Sequence, residues 1–174
     1  MITIGIDPGW SSFGIAINED GILIANTSFV PKESITIEGF ISELSKWITE
    51  SLEEIDNIEC DWNIKVYMER FVAYSGINAS ATEDILMLIG ALDYYFSVAY
   101  SKPILVKAID WKIALVHYLV KSKGLSNPYQ SLDKKYSFWA AGNLSGIAVA
   151  SISDHEADAV CLSYLTDEIF KVKR

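Results

Sequence analysis

Cysteine is scarce in this chain: Cys60 and Cys161 are the two in 174 residues. Their spacing suits no metal cage, and two thiols argue against a disulfide-framed fold. Long apolar runs are missing as well. The longest central stretch, Ile85 to Leu92, stops at Asp93 and is too short to cross a bilayer. No basic-then-apolar signal segment precedes the first apolar strand. These absences lead to the expectation of a reduced, cytoplasmic protein with no membrane partner. Repeats, low-complexity tracts and linkers are absent too, so residues 1–174 are read as one domain. Positive charge is also short, with 14 Lys and Arg against 23 Asp and Glu for a net −9, which at first argues against a nucleic-acid partner.

What is present is apolar and periodic. The hydrophobic fraction of 51% excludes a disordered chain and supplies a core. Met1 to Asp7 reads as a buried strand, followed by a Pro8-Gly9 turn. Phe13–Ile17 and Ile22–Val30 read as two more strands, joined by a hairpin at Glu19-Asp20-Gly21. From about Ser34 to Ile55, apolar residues recur at three and four, predicting an amphipathic helix with an acidic outer face. Ile64 to Met68 is a fourth strand ending at Glu69. A helix over about Ala81–Tyr100 is apolar on most faces, which means burial on several sides or a face turned to another subunit. A short strand follows at Pro103–Val106. Asp110 is expected to cap a helix through Val120, and Ser131 or Asp133 one through Ala141 that Gly142 ends. Asp154 is expected to cap a last helix reaching about Val172.

Four residues stand out on those elements. Asp7 and Glu69 end apolar strands, and His155 and Asp158 lie three apart at a helix start, on one face. A buried carboxylate must be paired or must coordinate a metal. Convergence of Asp7, Glu69 and Asp158 would therefore form a divalent-cation site. His155 either binds a metal such as Mn²⁺ or positions a water or phosphate. Asp154 reads first as a helix cap and next as a support for the site. Glu156 is expected to face away from the pair into solvent.

The element order and the motifs Ile-Gly-Ile-Asp-Pro-Gly, Val-Tyr-Met-Glu-Arg-Phe and His-Glu-Ala-Asp-Ala resemble the RNase H-like fold. Within it they are most similar to RuvC-type Holliday-junction resolvases, a phage-encoded branch included. The resemblance spans residues 1 to about 168. It implies a five-stranded mixed sheet, three antiparallel strands then parallel additions, flanked by helices. It also implies catalytic and metal-binding roles for Asp7, Glu69, His155 and Asp158, with two Mg²⁺ ions per site and Mn²⁺ able to substitute. The implied activity is paired phosphodiester hydrolysis in four-way DNA junctions by a homodimer, in a bacterial or phage-infected cytoplasm. RNase H proper carries its glutamate on a helix, whereas Glu69 sits on a strand.

Charge is unevenly spread. From Lys102 to Lys135 seven lysines face only Asp110 and Asp133, either solvating two helix faces or forming a basic rim beside the acidic site. The resemblance points to Lys112 as a phosphate contact, with Lys107, Lys134 and Lys135 as further DNA contacts. It also calls for a residue stacking near the branch point. Tyr74 or Phe71 fits, although Phe71 reads first as core. The competing readings are a broader flap or fork nuclease, a non-cleaving junction-binding module, and an actin-like ATPase. The last needs a second Asp-x-Gly strand that the chain lacks.

Overall fold

The computed structural model describes residues 1–31, 36–53, 55, 63–72, 79–129 and 131–171. The expected three-strand meander is present as β1 (Ile2–Asp7), β2 (Phe13–Glu19) and β3 (Ile22–Phe29), paired antiparallel throughout. Its tight turn works because Asp20 and Gly21 adopt φ of 47° and 88°, the two positive angles that match the strands' twist. Asn18 Oδ1 accepts the Gly21 N–H at 2.9 Å to lock that turn. Helix α1 (Ile37–Glu53) buries Phe40, Leu44 and Ile48 and leads to β4 (Ile64–Glu69), parallel to β1. Helix α2 (Ala79–Ala99) leads to β5 (Ile104–Val106), parallel to β4. The result is the expected five-stranded mixed sheet, in the order β3-β2-β1-β4-β5.

Side chains alternate across a strand with a period of two, and here the alternation separates two cores. One face presents Ile2, Ile4, Ile6, Ile15, Ile17, Val66 and Met68 to Phe40, Leu44, Ile48, Leu88, Leu92 and Phe96 of α1 and α2. The other packs Ala16 and Tyr67 against α3 (Ala108–His117), α4 (Lys134–Ser145) and α5 (Asp154–Ser163). Strands β1 and β4 run in register through Ile6 and Met68. The next residue on each, Asp7 and Glu69, therefore turns toward the α5 face.

Two glycines let α5 lie almost on the strand backbone. A Cβ at Gly5 would overlap the Ala159 carbonyl and the Ser163 amide, and one at Gly14 would overlap the His155 carbonyl. Neither neighbour is a side chain that can swing away. The close approach carries the first turn of α5 to the strand ends where Asp7 and Glu69 stand.

Several helix ends differ from the sequence expectation. Helix α3 begins two residues before Asp110, with Lys107 at its cap position and no side-chain cap, and passes into a π turn over Tyr118–Ser122. Gly142 lies inside α4, which ends at Gly146, where φ of 73° gives the left-handed stop that glycine allows. The last helix breaks after Ser163, and a short helix α6 (Asp167–Lys171) follows. Of the expected first helix, Ser34 and Ile35 lie outside the described residues, as do Tyr74 and Cys60.

A Gly5→Ala or Gly14→Ala substitution should destabilise the protein by about 1–3 kcal/mol or more, the range of overpacking. Gly90→Ala on α2 meets open space and should stabilise by about 0.5–1 kcal/mol. Urea unfolding of the three variants checks the contrast, and equal midpoints would contradict it.

Candidate active site

The site is built from the ends of two strands and the first turns of two helices. Asp7, 8% exposed, receives His155 from α5, with Nδ1 2.6 Å from Oδ2. Glu69 Oε2 accepts a hydrogen bond from the buried Trp111 indole Nε1–H of α3 at 2.9 Å. Asp158, one helical turn after His155, lies with Oδ2 3.6 Å from Lys112 Nζ, the two side chains 19% and 11% exposed. That ammonium also lies 4.9 Å from the centre of the Trp111 ring. All four sequence-predicted residues thus share one end of the sheet.

Burial dominates the titration of the acids, and neighbouring charge adjusts it. Burial pushes the Glu69 carboxyl up to about 7, with Asp7 and then Asp158 adding to the rise while the Trp111 hydrogen bond and Lys112 oppose it. Burial likewise pushes Asp158 up to about 6, against the pull of Lys112 and with the push of Asp7. The hydrogen bond to Asp7 raises the His155 pKa, although burial works against it. The carboxylates feel one another, and Lys112 and His155 leave their repulsion incompletely offset.

Among the described residues, no three His, Cys, Asp or Glu side chains are gathered as a ready cage for a metal ion. The expected convergence is instead one of neighbouring carboxylates, each engaged at one oxygen by His155, Trp111 or Lys112. The donor set still fits a hard divalent cation, which takes oxygen ligands and only a few carboxylates. Asp158 Oδ1 is buried without a well-formed hydrogen bond, although the neighbouring Ser137 hydroxyl pulls its pKa down, and that loosely satisfied oxygen favours the fit.

The last helix is anchored differently from the expectation. Ser153, not Asp154, caps α5: Ser153 Oγ accepts the Glu156 N–H at 3.2 Å and Glu156 Oε2 accepts the Ser153 N–H at 2.9 Å. A serine followed three residues later by glutamate makes that reciprocal box. Glu156 is not solvated, because Asn26 Nδ2 and Ser28 Oγ of β3 donate to it at 3.1 and 3.2 Å. Asp154 is left to pair with Lys134, whose hydrogen bond holds the Asp154 carboxyl below its usual range. Its charge also supports protonated His155.

The predicted lysines divide. Lys112 is drawn in against Asp158 rather than standing on a rim, and Lys134 engages Asp154. Lys107 and Lys135 are exposed, and Lys107 lines a cleft with Glu69, Lys112, Val72 and Ile109. Phe71 belongs to neither core and lines the same end of the sheet with Asp7, Pro8 and Glu69. Sequence reasoning passed over Trp111, although a buried indole immediately before Lys112 needs an acceptor.

No protein-family model and no curated protein sequence matches the chain. Solved structures do. The structure of T. thermophilus RuvC in complex with a Holliday junction substrate aligns with a TM-score of 0.65 at 15% identity, covering 94% of this chain and 90% of that one. A second Thermus thermophilus RuvC structure aligns with a TM-score of 0.61 at 16% identity, covering 94% and 91%. The chain has the RNase H-like fold of RuvC, as the strand order and motifs implied.

The pKa shifts fix a sign for stability. Glu69 and Asp158 titrate near 7 and 6 in the folded chain, above the ordinary 4.5 and 3.8. Between those limits the folded state holds protons that the unfolded state has released, so stability falls as pH climbs from about 4 to about 7. His155, raised above 6.5, extends the decline upward, since its contribution is lost as pH rises through the folded value. Metal-free thermal melts should show a higher midpoint at pH 5 than at pH 8, and Mn²⁺ should raise the midpoint more at pH 8. A flat or inverted profile would contradict the raised titration of these buried acids.

Proposed function

We propose that the chain is a divalent-metal-dependent endonuclease that cuts four-way DNA junctions. The observation that carries this reading is the gathering of Asp7, Glu69, His155 and Asp158 at one end of an RNase H-like sheet. Asp7, Glu69 and Asp158 would hold Mg²⁺, or Mn²⁺ in its place, two ions per site. Such ions supply Lewis-acid stabilisation of phosphate charge and a more acidic water.

The chain's own residues do the rest. His155, with Nδ1 on Asp7 at 2.6 Å, keeps its other ring nitrogen for a phosphate oxygen or the attacking water. Lys112 stands beside Asp158 at 3.6 Å and lines the cleft with Glu69, where it would meet a phosphate. Lys107, Lys134 and Lys135 would track the DNA backbone as hydrated point charges. Tyr74, outside the described residues, is the candidate to stack at the branch point. These cations lie around a chain of net charge −9, so binding should be local to the cleft and steeply weakened by salt.

A four-way junction has two-fold symmetry, and paired nicks call for two sites related by a matching axis. The second copy would meet this one through α2, which leaves Leu86, Met87, Tyr94 and Val98 exposed while Leu88, Leu92 and Phe96 fill the core. Among the described residues, no helix is long and apolar enough to cross a membrane.

A labelled four-way junction incubated with Mg²⁺ or Mn²⁺ should receive symmetric nicks. Asp7→Asn should cut at least about 100-fold more slowly. Tight junction binding with no cleavage under either metal would favour the non-cleaving module, and equal cutting of flaps and forks the broader nuclease. Light scattering should give a dimer mass at micromolar concentration and a monomer for Met87→Glu combined with Val98→Glu. A wild-type monomer would remove the α2 interface.

A further inference from the structure

Trp111 does more than fill the core. Its side chain is fully buried, yet its indole N–H is spent on the Glu69 carboxylate, 2.9 Å away at Oε2. Among the described residues this is the one hydrogen bond that the Glu69 side chain makes. Glu69 ends a strand whose pairing with β5 stops at Val106. Beyond that point the carboxylate's direction is set by side chains alone. Trp111 reaches it because α3 starts immediately after β5, and Arg70 N–H bonds to the Val106 carbonyl at 2.7 Å, tying the exit of β4 to the entry of α3.

The neighbouring residue completes the arrangement. Lys112 Nζ lies 3.6 Å from Asp158 Oδ2 and 4.9 Å from the centre of the Trp111 ring. One dipeptide in the first turn of α3 therefore addresses two of the three carboxylates, one by a neutral donor and one by a charge. The distinction matters chemically. The Lys112 charge also reaches Glu69, but the group bonded to the carboxylate is a neutral N–H, which fixes one oxygen without cancelling the charge that the metal needs. Tryptophan is also donor-only, so it cannot rotate to present an acceptor and turn the carboxylate away.

We propose that Trp111 is a positioning residue that presets the Glu69 carboxylate for a divalent cation through its indole N–H. The proposal rests on the metal-site reading given above. Groups that orient metal ligands in this manner commonly change metal affinity by about 10–100-fold when removed.

The test is Mn²⁺ binding without DNA, read by calorimetry or by the electron paramagnetic resonance of free Mn²⁺. Trp111→Phe should weaken Mn²⁺ binding about tenfold. The same substitution in a Glu69→Gln background should add little further loss, because the bond it removes serves Glu69. A purely structural tryptophan would instead lower thermal stability equally in both backgrounds and leave the Mn²⁺ affinity ratio at one, which would overturn the proposal. A second measurement keeps the wild-type fold: the ¹⁵N-tryptophan spectrum should show the Trp111 indole N–H protected from exchange and shifted on Mg²⁺ addition. An indole signal indifferent both to Mg²⁺ and to Glu69→Gln would overturn it independently. Wild-type protein that takes up no Mn²⁺ would overturn the metal site itself and this role with it, whereas wild-type uptake that Trp111→Phe leaves untouched removes the Trp111 role alone.

Discussion

Repulsion among buried carboxylates is the constraint around which the rest of this molecule is arranged. Like charges in a partly desolvated site are costly unless something offsets them, and a fold selected only for stability would not place Asp7, Glu69 and Asp158 within reach of one another. The surrounding groups hold this arrangement without dissolving it. His155 shares a hydrogen bond with Asp7, Lys112 lies beside Asp158, and Trp111 donates to Glu69. The carboxyls of Glu69 and Asp158 are raised by burial first and by their acidic neighbours second.

Geometry supplies what charge alone would push apart. The two acids on β1 and β4 face the same way because the strands are parallel and in register. Helix α5 reaches them because Gly5 and Gly14 present no side chain to hold it off. The opposite face of the sheet, filled by isoleucines, Phe40 and Leu44, lies away from the four residues and gives the strand ends that carry two of them a packed backing.

Much of this was legible in the chain. Strand periodicity, the Asp20-Gly21 turn and the order of acidic residues pointed to the sheet and to four side chains that the fold places at one end of it, since these are local patterns repeated over several residues. What escaped were features decided by tertiary neighbours. Glu156 looked solvated because nothing near it in sequence reveals that Asn26 and Ser28 lie across from it. Asp154 looked like a cap because aspartate is a good one, but Ser153 was one residue earlier and had Glu156 at the matching distance. Lys112 was read as a phosphate contact from the resemblance at its position, and only the fold shows it turned inward toward Asp158. Gly142 resembled a helix stop, although the left-handed backbone that marks the stop is at Gly146.

The Glu156 clasp has a wider meaning. Strand β3 is an edge strand, the place where sequence ordinarily drifts most freely, yet its Asn26 and Ser28 reach back to brace the helix that bears His155 and Asp158. Fidelity at the cleft is thereby tied to the outermost ribbon of the sheet. Natural variation at those two outlying positions should be as restrained as at residues lining the cleft.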